Sequence, residues 1–173
     1  GEGEYFLDRW DFFPTLHLSY KLEGDQQLMA SYSRRIERPR GWWLEPFITV
    51  VDRFNVRQGN PDLQPEYVDS YELNYRKGFG KRNFFSAEAY YRVTQNRVER
   101  IQEVFTENVI LTRPVNVGQD YSLGLELALS LQLTKWWQAD LSGNLFHYTI
   151  TGKLEERDYF RESLNWNSRM NNN

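Results

Sequence analysis

The chain has 173 residues, enough for one ordinary domain, with 21 Lys and Arg against 24 Asp and Glu and a net charge of −3. This balance argues against a nucleic-acid partner, which requires a basic surplus. The chain has no cysteine and only two histidines, His17 and His147. Disulfides, thiolate metal sites and His-rich metal sites are therefore excluded, and no metal or other cofactor is expected.

Aromatic residues make up 16% of the chain, yet its mean hydropathy is −0.73. That combination is typical of membrane barrels, whose strands show one face to water and carry aromatic girdles at both interfaces. The sequence contains no run of about 18 apolar residues, so no membrane-spanning helix is predicted. Gly1 to Tyr5 do not resemble a signal peptide, and we interpret the chain as a segment of a longer protein.

The dominant periodicity of the chain is two, which predicts β-strands. The clearest case runs from Tyr121 to Leu133, where leucines occupy every second position from Leu123 onward and small or polar residues lie between them. One face of this strand is therefore all leucine and the other is polar. In chain order, alternation predicts about seven strands, around Leu16–Leu22, Ala30–Arg35, Ser70–Arg76, Ser86–Ile101, Val115–Leu133, Trp137–Leu145 and Ser163–Met170.

The predicted connections alternate between short and long. Short turns are expected at 23–26, 77–82 and 134–135, and long loops at 37–65, at 102–115 and after Thr151. Barrels with tight periplasmic turns and wide external loops show this pattern. Trp136 and Trp137, beside the last short turn, are expected in the periplasmic girdle. Phe146, Tyr148 and Ile150 interrupt the alternation, which predicts a bulge near Gly143.

These features predict an all-β fold, an antiparallel up-and-down meander of about seven strands that forms part of a large transmembrane β-barrel. Residues 1–173 are expected to form one partial barrel segment without an internal boundary. About seven strands form only part of a large barrel and leave two free edges. We therefore expect the isolated segment either to curl as an open sheet or to self-associate through its two free edges or its leucine face.

A loop-to-strand motif carries a family resemblance. Asn60, Pro61, Leu63, Pro65 and Glu66 follow the pattern Asn-Pro-x-Leu-x-Pro-Glu, and the strand after them contains Glu-Leu-x-Tyr. The motif resembles a signature of TonB-dependent outer-membrane receptor barrels, above all the outer membrane protein beta-barrel group of Bacteroidetes receptors. The strand segments 30–39 and 89–96 resemble its neighbours in the same order. The prolines also suit a loop that ends where hydrogen bonding between strands resumes. This structural role, which needs no ligand, accounts for much of the motif.

The resemblance implies that the parent protein lies in the bacterial outer membrane and imports a nutrient. It also implies a barrel of about 22 strands with an internal plug, and a segment that binds TonB; neither the plug nor that segment is found in this sequence. The expected partners are outer-membrane lipid, TonB through other parts of the parent, and a surface lipoprotein if the parent has one. No enzymatic activity is expected, because acidic pairs such as Glu155 and Glu156 have no accompanying nucleophile arrangement.

The candidate substrate-binding residues lie in the first long loop: Trp42, Trp43, Arg38, Arg40 and Arg57. Tryptophan rings can stack on sugars, and arginine pairs with carboxylates or phosphates. The competing interpretation is that the two tryptophans pack against neighbouring loops or belong to the outer girdle.

An alternative function comes from a different class of protein. A soluble β-sandwich binding module, for example one that binds carbohydrate, would bury its leucine faces between two sheets. The two hypotheses differ in what covers the face from Leu123 to Leu133, since lipid covers it in a barrel and a second sheet covers it in a sandwich.

Overall fold

The computed structural model describes residues 10–80, 82–154 and 157–172. The described part of the chain contains nine strands and one short 3-10 turn, Gly41–Leu44. The strands are β1 (Thr15–Leu22), β2 (Gln26–Glu37), β3 (Ile48–Val50), β4 (Asn55–Gln58), β5 (Glu66–Phe79), β6 (Asn83–Thr106), β7 (Val109–Gln132), β8 (Gln138–Leu154) and β9 (Arg157–Asn172). No helix in these ranges is long and apolar enough to cross a membrane.

The seven long strands form the predicted antiparallel meander, paired in the order β1, β2, β5, β6, β7, β8, β9. The sheet is open, and within the described ranges the outer edges of β1 and β9 have no partner strand. The all-β meander predicted from the sequence is thus confirmed, and two short strands, β3 and β4, are added to it. We call the end of the sheet where residues 38–65 connect β2 to β5 the loop end, and the opposite end the turn end.

Two of the predicted long loops are wrong. Residues 102–115 are mostly strand, because β6 continues to Thr106 and β7 begins at Val109 after a tight connection in which Asn108 has φ 67°. β8 likewise continues beyond Thr151, to Leu154, and it pairs with β9 up to Arg157. Glu155 and Glu156 lie outside the described residues. Loop lengths therefore do not alternate strictly, and, among the described residues, 38–65 form the one long connection between neighbouring strands of the meander.

The bulge predicted near Gly143 is also wrong. β7 and β8 pair in continuous register from Gly118↔Gly152 to Gln132↔Gln138. Phe146 lies opposite Gly124, and a Cβ on Gly124 would be 2.3 Å from the ring of Tyr90. Apolar side chains on the polar face are therefore accommodated by a glycine and not by a shift of register.

The sheet has one apolar face and one polar face. Leu123 (57% exposed), Leu125 and Leu127 stay open to the surroundings, and cross-strand neighbours such as Leu145 extend the same face. No second sheet covers these leucines among the described residues, so the β-sandwich is wrong.

Aromatic side chains border the apolar face at both ends. Tyr32, Tyr71 and Tyr91 occupy one cross-strand row near the loop end, with ring centroids 4.9 and 6.3 Å apart. Trp136 and Trp137 stack at 6.5 Å at the turn end.

The spacing of these aromatic borders matches a membrane. From the row of Tyr91, which pairs with Leu123, to Leu133 the strand rises about 33 Å at about 3.3 Å per residue. At the usual barrel tilt of about 40° this becomes about 25 Å, the height of the apolar band of outer-membrane barrels.

The polar face carries hydrogen bonds between side chains of neighbouring strands. Ser31 donates to Glu72 at 2.9 Å, Asn74 donates to Glu88 at 3.1 Å, and Ser130 donates to Asp140 at 2.6 Å. This face is therefore suited to contact with water or with another polar surface.

The compact part of the molecule lies at the loop end. β3 and β4 form a hairpin within the connection 38–65, and β4 pairs in parallel with β7 through Val56↔Leu111 and its neighbours. β8 pairs with β7 only from Gly118 to Gln132, so β4 lies along the part of the same edge that precedes Gly118. The buried apolar residues gather mainly around this hairpin: Val56, Leu63, Tyr67, Val98, Leu111, Val117 and Ile150.

Candidate functional site

The predicted substrate-binding residues occupy two neighbouring positions in the loop. Arg57, on β4, places its guanidinium carbon 5.0 Å from the ring centre of Trp42. Trp42 meets Trp43 edge to face, with ring centroids 6.4 Å apart. Both tryptophans are half-buried within the folded loop.

Three of the five predicted residues line one small cavity. Arg38, Arg40 and Trp43 border a space of about 280 Å³ whose floor includes Glu66 and Val98. Arg38 is also within 3.5 Å of Asp11. The structure thus brings Arg38, Arg40 and Trp43 together and places Trp42 with Arg57 beside them. A cavity of this size, lined by cations, carboxylates and one indole ring, can hold about one ring-sized group of a larger ligand.

The loop-to-strand motif docks the loop onto the hairpin of β6 and β7. Asn116 on β7 accepts a hydrogen bond from the backbone N–H of Gln64 at 2.9 Å and donates to the carbonyl of Gln64 at 3.1 Å. Asn96 donates to the carbonyl of Pro65 at 3.1 Å. Leu63 is buried beside them. These side-chain amides replace the ladder that this proline-containing segment cannot form with its own backbone.

Asn60, at the start of the motif, ties the two ends of the loop together. Its backbone N–H donates to the carbonyl of Trp43 at 2.6 Å, and its side chain accepts from the N–H of Asp62 at 3.0 Å. The preceding residue, Gly59, is buried, and its N–H donates to the carbonyl of Glu45 at 2.8 Å. A Cβ on Gly59 would lie 2.2 Å from the carbonyl oxygen of Trp42, so only glycine fits there. Pro61 follows in the turn that leads to Leu63.

Glu66 ends the motif as a buried anchor. It is 7% exposed, and its Oε1 accepts the backbone N–H of Val98 at 2.6 Å and lies 3.5 Å from the guanidinium of Arg97. Burial raises the pKa of this carboxyl, and it outweighs the opposing effects of the Val98 N–H and Arg97. Glu66 is therefore held mainly as a hydrogen-bond acceptor for the backbone of β6.

Arg97 joins three strands beneath the loop. Its Nε lies 3.2 Å from Glu99 and 3.3 Å from Asp120, in addition to its contact with Glu66. Tyr148 on β8 donates to Asp120 at 3.2 Å. Carboxylates from β5, β6 and β7 thus share one guanidinium, so the polar centre of the loop end is fixed from several sides.

Sequence reasoning missed Arg97, Asn116 and Asp120. Their positions become adjacent to the motif only through the register of β6 and β7, which shifts at Asn96, a residue with φ 57°. The one local signal is Asn96 within the predicted strand Ser86–Ile101, since asparagine adopts positive φ more readily than most residues.

The sequence of the chain matches the outer membrane protein beta-barrel family over residues 4–173. The chain belongs to this family. It is therefore a segment of a bacterial outer-membrane barrel and not an enzyme. No curated protein matches the chain in sequence.

Solved structures share the same fold. The siderophore receptor PirA from Pseudomonas aeruginosa aligns with a TM-score of 0.67 and 16% identity, over 92% of this chain and 34% of the receptor. A mutant of the ferric enterobactin receptor PfeA from the same organism, in complex with enterobactin, aligns with a TM-score of 0.61 and 15% identity, over 84% and 26%. The Serratia marcescens hemophore receptor HasR, in complex with HasA and heme, aligns with a TM-score of 0.61 and 14% identity, over 88% and 33%. The chain spans about a third or less of these receptors.

Proposed function

We propose that the chain forms part of the barrel wall of a TonB-dependent receptor that imports a nutrient across the outer membrane. The observation that carries the proposal is the apolar face, about 25 Å high and bordered by aromatic rows at both ends. The opposite face is polar and hydrogen-bonded, as the lining of a wet lumen must be. TonB would be contacted by parts of the parent outside this chain.

In this assignment the loop end lies outside the cell and meets the imported molecule first. Arg38, Arg40 and Trp43 are the residues proposed to contact that molecule, because they line the cavity under the docked loop. Trp42 and Arg57 support this wall through their cation–π contact. Exposed apolar residues on the hairpin of β3 and β4, among them Val50 (72% exposed), offer a surface to a lipoprotein partner.

The lipid-facing role can be tested on the chain by light scattering in plain buffer and in an uncharged detergent. We expect association in buffer and dispersal by detergent, because the leucine face and both sheet edges are uncovered. A compact monomer in buffer that binds no detergent would contradict the proposal.

A further inference from the structure

The apolar face of the sheet carries a groove across β6, β7, β8 and β9. The volume of the groove is about 460 Å³. Gly143 and Ser168, which pair across β8 and β9, form its floor. The next residues of the same face are bulkier on both sides of this floor: Leu141 and Met170 toward the turn end, and Leu145 and Trp166 toward the loop end. The missing side chain of Gly143 therefore opens the groove.

The fold does not require a glycine at position 143. Its φ is not positive, and β7 and β8 pair without a bulge on either side of it. A Cβ at this position would meet nothing nearer than 3.8 Å, whereas a Cβ at Gly118, Gly124 or Gly152 would collide with a neighbour. Glycine in the interior of a strand weakens that strand. Where neither a bulge nor a tight backbone contact explains it, such a glycine is typical of a place that a ligand approaches closely.

The groove is lined almost wholly by apolar side chains. Among the described residues beside it, Arg169 is the one that carries a charge, and it pairs with Ser142, one position before Gly143. Since successive strand residues point to opposite faces, the guanidinium of Arg169 belongs to the polar face. The groove thus presents hydrocarbon side chains and the hydroxyl of Ser168, which suits an uncharged hydrocarbon chain.

Depth and width decide between the possible occupants. Leu127, which pairs with Gly143, precedes Leu133 by six residues, so the floor lies about 15 Å above the turn-end border at the usual strand tilt. Lipid headgroups lie outside the hydrocarbon and do not reach this depth. Leu141 and Leu145 are about 13 Å apart along β8, and their side chains narrow the opening below the about 10–12 Å diameter of a helix. Only helices and closed barrels span the hydrocarbon, and the wall of a barrel is wider still, which leaves an acyl chain as the occupant that fits.

We infer that this groove binds one acyl chain of a phospholipid and retains that lipid when the surrounding lipid is exchanged. A chain in the groove is contacted from the floor and from both sides, whereas a chain elsewhere on the apolar face is contacted from one side. Dispersion attraction grows with the number of neighbouring atoms, so the lipid in the groove is held more tightly than its neighbours. The inference rests on the proposed function, because the groove meets lipid only if the leucine face does.

The test uses the full chain in an uncharged detergent, with dioleoyl phosphatidylcholine as the probe. Native mass spectrometry counts the lipid that each chain retains as the detergent concentration is raised. We expect one retained lipid. Gly143→Leu fills the groove and should weaken retention by about 3- to 10-fold, and Gly143→Ala should weaken it less. Unchanged strand content in circular dichroism shows that each variant is folded.

Ala30→Leu is the matched control, because it adds apolar bulk to the same face on β2, where Ala30 pairs with Leu73. Equal retention by the native chain, Gly143→Leu and Ala30→Leu would place the lipid elsewhere and overturn the inference. Displacement of the lipid by glycerophosphocholine, which has the headgroup without the acyl chains, would overturn it as well. A native dimer that carries no lipid and that Gly143→Leu dissociates would show that a second copy fills the groove, which also overturns it. Failure of the proposed function is seen separately, as a chain that binds no detergent in light scattering.

Discussion

Removal of the Glu66 carboxylate tests how the loop is anchored, because two variants separate its hydrogen bond from its charge. Glu66→Ala leaves the N–H of Val98 without its acceptor at a position where Val98 is 6% exposed. Glu66→Gln keeps an oxygen acceptor and removes only the charge that faces Arg97. Since burial raises the pKa of Glu66, its surroundings already disfavour that charge.

The structure sets the size of both effects. A buried N–H that loses its acceptor costs about 1–3 kcal/mol, which is about 5- to 150-fold in the local opening equilibrium. Glu66→Gln should cost less than about 1 kcal/mol, because Arg97 keeps Glu99 and Asp120 as partners.

Amide hydrogen exchange of Val98 in detergent measures this equilibrium directly. We expect faster exchange in Glu66→Ala and near-native exchange in Glu66→Gln. Equal acceleration in both variants would show that the ion pair, and not the hydrogen bond, anchors the loop, and the reasoning would be refuted.

Further predictions concern the close approach of backbone at Gly152 and Gly59 and the titration of Glu66. Gly152→Ala would place its Cβ 1.5 Å from the carbonyl oxygen of Val117, so it should lower the free energy of unfolding by more than the about 1–3 kcal/mol of an overpacked core, seen as a lower Tm. Gly143→Ala, whose Cβ meets nothing nearer than 3.8 Å, should change that free energy by less than about 0.5 kcal/mol. Gly59→Ala should undock the loop and expose residues 41–58 to protease; unchanged cleavage would contradict the proposed fit. Because burial raises the folded-state pKa of Glu66, the stability that its protonated form gives to the docked loop is present at low pH and is lost as pH rises through that pKa. Protection of the loop from hydrogen exchange should therefore fall over this pH range in the native chain and stay constant in Glu66→Gln.

The strands could be predicted because each carries its own pattern. The alternating leucines from Leu123 to Leu133 indicate one apolar face whatever the neighbouring strand is. The pairing order also follows from the sequence, since consecutive strands joined by tight turns usually become neighbours.

The long loop predicted at 102–115 is wrong, because β7 continues through Pro114. A proline inside an apolar run normally argues against a strand. In the structure Pro114 lies between Thr112, the last β7 residue paired with β4, and Gly118, the first one paired with β8. That edge is unpaired at Pro114, so its missing N–H interrupts no ladder there.

The candidate site could be predicted only in part. Arg38, Arg40 and Trp43 are close in sequence, so their shared cavity follows from one local turn of the loop. The docking of Glu66 onto Val98 and of Gln64 onto Asn116 depends on pairing over 32 and 52 residues of sequence. No local pattern encodes contacts of that range, and the parallel pairing of β4 with β7 is equally non-local.

The most direct test of the central assignment uses two neighbouring positions on β7. The chain has no cysteine, so Leu125→Cys and Glu126→Cys each create a single labelling site. A fluorescent label at each position is exposed to spin-labelled lipid and, separately, to iodide in water, with the chain in lipid bilayers. The account predicts quenching by lipid at position 125 and by iodide at position 126, since successive strand residues face opposite sides. Equal quenching by iodide at both positions would contradict it.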